Sequence, residues 1–193
     1  MLMIIIGIAT DAKDVVRYAD RMETLMADGC YQEALKVGAE SDKTDVRLTQ
    51  LRIKALAHEH QLGDRLFRYP VVGSGSSLYV ADGQDLYSSG GDYALCACLI
   101  DRRLDRFAEL LPEYYTVNDS LPRYYREALV LYKHQHSHPL IDFQDAVLDT
   151  DYADLQKLES EHPKGRGRQL AVFRQYEGTY WYYYDYPGGR VTE

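Results

Sequence analysis

An all-α fold, built as an array of paired helices, is what this sequence predicts. Three observations carry the prediction. Apolar residues recur at intervals of three and four over most of the chain, which gathers them on one face of an α-helix. Gly29 and Gly63 lie 34 residues apart, each between two such patterns. Around the first, Gly29-Cys30-Tyr31-Gln32-Glu33-Ala34-Leu35 reads as a turn between two helices. Glycine permits the tight turn, Tyr31 wedges between the helices, and Ala34 lets them approach closely.

The elements follow in order. Val15, Val16, Ala19, Met22, Leu25 and Met26 give a first helix from about Asp14 to Asp28, closed by Gly29. Tyr31, Ala34, Leu35 and Gly38 face a second, which fades at Ser41-Asp42-Lys43. Thr44 or Asp45 caps a third, carrying Leu48, Leu51, Ala55 and Leu62. Gly63-Asp64 then turns into Leu66-Phe67, and Pro70 stops the pattern. The hairpins fall at 14–41 and 45–69. The second copy is imperfect, with Arg65 and Arg68 where the first has Tyr31 and Ala34.

Residues 70–91 interrupt the helical text with Pro70 and five glycines among serines. We read them as an irregular loop, in which Leu78-Tyr79-Val80 is a short strand or an apolar anchor. Gly73-Ser74-Gly75-Ser76-Ser77 lacks the Lys and strand–helix setting of a phosphate loop. Helix resumes at Asp92, read as a cap, and runs to Leu111 with a bend near Asp101–Arg103. Pro122 opens another helix, faced by Tyr125, Leu129 and Tyr132. Asp149 to Asp151 cap the next, with Tyr152, Leu155 and Leu158 inward. The last helix carries Leu170, Phe173, Tyr176, Tyr180, Trp181 and Tyr184, widened by Tyr182, Tyr183 and Tyr186.

Composition narrows the function. The chain has 193 residues, a size that supports one core without disulfides or metal. Net charge is −8, which argues against nucleic acid, whose binding rests on neutralising phosphates. The basic cluster Lys164, Arg166 and Arg168 reads as a solvated turn. Three cysteines make no disulfide framework.

The N-terminus reads Met1-Leu2-Met3-Ile4-Ile5-Ile6-Gly7-Ile8-Ala9. As a helix it rises about 14 Å, against a hydrocarbon core of about 30 Å, so it cannot span a membrane alone. We divide the chain into this apolar tail, residues 1–10, and a single helical domain, 11–193. The tail is a buried first turn, a disordered end, or the last part of a longer membrane helix.

From Arg17 to Phe67 the chain resembles tetratricopeptide repeats, which implies an α-α superhelix with Gly29, Tyr31, Ala34 and Gly63 at repeat positions. Further phrases are Phe107-Ala108-Glu109-Leu110-Leu111-Pro112-Glu113-Tyr114-Tyr115, Leu121-Pro122-Arg123-Tyr124-Tyr125-Arg126-Glu127-Ala128-Leu129 and Thr179-Tyr180-Trp181-Tyr182-Tyr183-Tyr184. They are similar to the soluble C-terminal part of an uncharacterised bacterial family of multi-spanning membrane proteins. That resemblance implies a soluble domain tethered to the bacterial inner membrane, with Met1–Ala9 as the end of the last span. A cytoplasmic location is the alternative. It implies no activity, cofactor or catalytic residue.

The chemistry-bearing residues are few. His134-Gln135-His136-Ser137-His138 is the best metal candidate, since three imidazoles two apart share one side of a strand. On a helix they fan around the axis. No G-x-S-x-G elbow and no zinc-protease helix is present. We therefore expect a non-enzymatic module that binds a protein or peptide, without a cofactor, and that touches a membrane through its N-terminal segment. Tyr180, Tyr182, Tyr183 and Tyr186 are the expected contact surface. The alternatives are a glycan or small ligand held by tyrosines, and a metal-dependent enzyme built on the histidines.

Overall fold

A computed structural model describes residues 2–76 and 90–187, with side chains from Lys13 onward. Among these residues the chain is all-helical, with no strand. The elements are α1 (Leu2–Ala27), α2 (Tyr31–Ala34), α3 (Val46–His58), α4 (Leu62–Arg65), α5 (Gly91–Ile100), α6 (Leu104–Tyr114), α7 (Arg123–Gln135), α8 (Ala146–Glu161), α9 (Arg166–Tyr176) and α10 (Tyr180–Asp185). A 3-10 turn, Leu66–Arg68, follows α4. The strand considered at Leu78–Val80 lies outside the described residues.

The first helix begins at Leu2, not near Asp14. Thr10-Asp11-Ala12-Lys13 contains no proline and no helix stop, so the backbone of the apolar segment runs on into α1. At 26 residues α1 is about 39 Å long. No described helix is long and apolar enough to cross a membrane.

Three helices end in the same way. At the end of α1, Gly29 has φ 76°, its N–H donates to the Met26 carbonyl, and the Cys30 N–H reaches back to Leu25 at 2.8 Å. After α3, His60 has φ 54°, and Gln61 N–H reaches Leu56 at 2.9 Å. After α5, Arg102 has φ 57°, and Arg103 N–H reaches Cys98 at 2.8 Å. A left-handed residue with a bond spanning five residues back is a Schellman cap. The next helix starts two residues on, at Tyr31, Leu62 and Leu104. The chain thus makes three helical hairpins with one turn geometry, at Gly29, His60 and Arg102.

This corrects the assignment of Gly63. It lies within α4 rather than between two helices, and it is buried. A Cβ there would sit 2.6 Å from Cβ of Pro122 and 2.9 Å from Cζ of Tyr125. Gly29 supplies a backbone conformation, whereas Gly63 supplies room for α7. The 34-residue spacing joins two glycines with different work. Ala34 is fully buried, as the close-approach reading requires. Tyr31 is only half-buried, and its ring stacks on His58 at 3.6 Å.

Other boundaries move for identifiable reasons. Asp45 caps α3, accepting from the Leu48 N–H at 2.7 Å. Asp145 caps α8, so that helix starts ahead of Asp149. The bend expected near Asp101–Arg103 is a full break at Arg102. The long aromatic helix is two: Gly178 has φ 75°, and Thr179 caps α10 by accepting from the Tyr182 N–H.

Helices pack mainly on their neighbours in sequence: α1 on α2 and α3, α4 on α5, α8 on α9. Helix α7 is the exception. It touches α4, α6, α8 and α10, and it buries Tyr124, Tyr125, Glu127, Ala128, Leu129, Val130, Leu131 and Tyr132. A helix apolar on so many sides belongs at the centre of a core.

The two glycines provide a test. Gly29→Ala meets no neighbouring atom, so only its left-handed backbone is penalised, by about 1 kcal/mol. Gly63→Ala overpacks the contact with Pro122 and Tyr125 and should cost about 2–3 kcal/mol. Urea denaturation of both variants measures the difference, and equal losses would contradict the close-packing role.

Candidate interaction clefts

The three histidines do not converge. His136 Nδ1 lies 2.9 Å from the Tyr132 carbonyl, and its Nε2 is 3.0 Å from Asp105 of α6. His134 turns the other way, against the Tyr152 ring and 3.9 Å from Asp149 of α8. His138 is exposed beyond the helix end. No group of His, Cys, Asp or Glu among the described residues is arranged to hold a metal ion. The cause is the end of α7 at Gln135: His134 lies in its last turn, His136 is already in extended backbone, and His138 follows beyond it, so the three share neither one helix face nor one strand side.

The tyrosine surface is likewise redistributed. Tyr180 and Tyr182 are buried with Trp181, while Tyr183 and Tyr186 are half-buried. The Tyr180 hydroxyl donates to the Leu99 carbonyl, and Tyr183 donates to Ile100 at 2.9 Å. Both acceptors are terminal carbonyls of α5. Burial pushes the Tyr180 phenol well above its ordinary range and that of Tyr183 up to about 12. Tyr180 and Tyr182 are core residues, not a contact surface. Tyr182, Tyr183 and Tyr186 line a narrow apolar cavity of about 40 Å³, closed by Phe67, Val71 and Phe173. It shares Arg68, Tyr69, Glu177 and Gly178 with a more polar groove of about 390 Å³ that includes Glu40 and Arg65.

A second buried cluster joins α5 and α7. The hydroxyls of Tyr115 and Tyr125 both donate to Asp92 Oδ1 at 2.7 Å. Asp92, expected as a cap, sits in the first turn of α5 and serves as their acceptor. Cys96 Sγ lies 3.5 Å from the Tyr125 hydroxyl. Burial pushes both the Cys96 thiol and the Tyr125 phenol up, so neither ionises near neutral pH.

The largest of the described clefts, about 610 Å³, opens between α7, α8 and the α9–α10 turn. Its floor is Glu127, 1% exposed. Glu127 Oε1 accepts from Arg123 Nε, and Oε2 accepts from the Tyr180 N–H, both at 2.6 Å. The Glu127 carbonyl accepts from Trp181 Nε1 at 2.8 Å. Burial raises the Glu127 pKa, and Arg123 and the Tyr180 N–H offset part of that rise. Arg126 reaches the Leu121 carbonyl and Asp145. Val147, Asp151 and Gln175 form an exposed rim, with Tyr176 half-buried beside them. Sequence reading missed Arg123, Arg126 and Glu127 in this role. The available signal was an Arg–Glu pair four apart ahead of the apolar run Ala128–Tyr132, where a charge drawn into the core must find a partner.

Residues 90–187, just over half the chain, match the family described as Family of unknown function (DUF6057). The chain belongs to that family. The phrases at Phe107–Tyr115, Leu121–Leu129 and Thr179–Tyr184 all fall inside the matched span. No curated protein and no solved structure matches the chain.

Two measurements follow from this chemistry. Glu127→Ala leaves a guanidinium and a helix N–H without their acceptor and should cost about 3 kcal/mol. Glu127→Gln retains a carbonyl acceptor and should cost about 1–2 kcal/mol. Urea denaturation followed by Trp181 fluorescence reads both, and a loss under about 0.5 kcal/mol for the alanine variant would show that the carboxylate does not hold α10. For the thiols, Cys30 is exposed, whereas Cys96 and Cys98 are buried and shifted upward. Ellman's reagent should titrate one thiol in the folded protein and all three in denaturant.

Proposed function

We propose that this member of the DUF6057 family is a non-enzymatic interaction module, a tetratricopeptide-like helical array that binds a protein or peptide segment in the cleft beside α7. The observation that carries this reading is the repeated hairpin. One turn geometry recurs at Gly29, His60 and Arg102, and the hairpins stack toward α7. Stacked helical pairs bury their faces against neighbours and leave grooves for partners. The cleft suits a segment better than a reaction. Its arginines are committed to Glu127 and Asp145, which fixes the floor. Its rim offers an apolar Val147, 69% exposed, with Gln175 beside it for hydrogen bonding. The reading is tested by a photo-crosslinking residue at Gln175, with one at Arg17 on the distant first hairpin as control. The Gln175 probe should join one defined protein in cells, and Val147→Asp should abolish that product without lowering the melting temperature. Equal labelling from both positions, or no loss on Val147→Asp, would overturn it.

The continuity of α1 favours a second element, a tether. Residues 2–9 are helical and apolar on every side, an arrangement suited to surroundings that are apolar throughout, such as lipid. Two turns reach about 12 Å, less than half of a hydrocarbon core. These residues alone do not cross a bilayer, and they serve as the apolar part of a membrane tether. Full-length protein should float with phosphatidylcholine–phosphatidylglycerol vesicles on a density gradient. Deleting residues 1–10 should abolish flotation and leave the melting temperature within a few degrees. A large drop in melting temperature would place Ile4, Ile5 and Ile6 in the core instead.

A further inference from the structure

We draw no further inference here: the strongest candidate, the basic turn Lys164-Gly165-Arg166-Gly167-Arg168 at the start of α9, is a helix N-terminus with surface cations, and nothing else in the structure points to a ligand there.

Discussion

The carboxylate of Glu127 is the constraint around which the second half of the chain is arranged. It sits in a helix that is buried nearly all round, where an unpaired charge would be strongly destabilising. Its two oxygens therefore require donors in fixed directions. Arg123 supplies one from the same helix, and the first N–H of α10 supplies the other. Helix α10 has six residues, far too few to persist alone. It forms because Thr179 caps it, Glu127 takes its leading N–H, and Trp181 and Tyr182 are buried as it docks. The orientation of α10 then fixes where Tyr180 and Tyr183 reach, and so how α5 is closed.

That dependence explains the tyrosine content. The chain has 18 Tyr and 4 Phe, a ratio that invites a binding-surface reading. Short helices, however, end often, and each end leaves several carbonyls without an intrahelical partner. A phenol fills apolar space with its ring and satisfies such a group with its hydroxyl. Tyr69 does this at the Leu35 carbonyl beyond α2, Tyr180 and Tyr183 at the end of α5, and Tyr124 at Gly178 between α9 and α10. Phenylalanine at Tyr69, Tyr124 or Tyr183 would keep the packing and strand the carbonyl, whereas the Leu99 carbonyl beside Tyr180 also accepts from the Arg102 N–H. The tyrosines hold many short helices in register.

Legibility in the sequence followed the same division. Helices with a one-sided apolar stripe were readable because periodicity reports a face, and Ala34 was readable because a small residue marks a close approach. The turns at His60 and Arg102 were not. Arginine at positive φ leaves no local signature and histidine only a weak one, so the surrounding contacts decide both turns. Gly63 was misread because glycine serves both backbone freedom and tight packing, and only the partner, Pro122, distinguishes them. The break between α9 and α10 was hidden by an aromatic pattern that stays helical in spacing across Gly178. Glu127 was overlooked because an Arg–Glu pair four apart reads equally well as a solvated helix face, and only the distant Tyr180 N–H reveals that this one is buried.

The hairpins and the family region also share one core. The family match begins at residue 90, yet α4 packs on α7 well inside it. Pro122 has no N–H and caps α7 without a side-chain bond, so Asp64 of α4 takes the Arg123 N–H at 2.7 Å. Arg123 thus meets α4 with its backbone and the floor of the cleft with its guanidinium. A shift of α4 moves the start of α7, and with it the group that neutralises Glu127. The cleft walls belong to α7 through α10, but their spacing is set partly by a hairpin outside the matched span. Close packing at Gly63 keeps that coupling stiff, since the backbone there lies so near Pro122 and Tyr125 that an added Cβ would sit 2.6 Å from Cβ of Pro122.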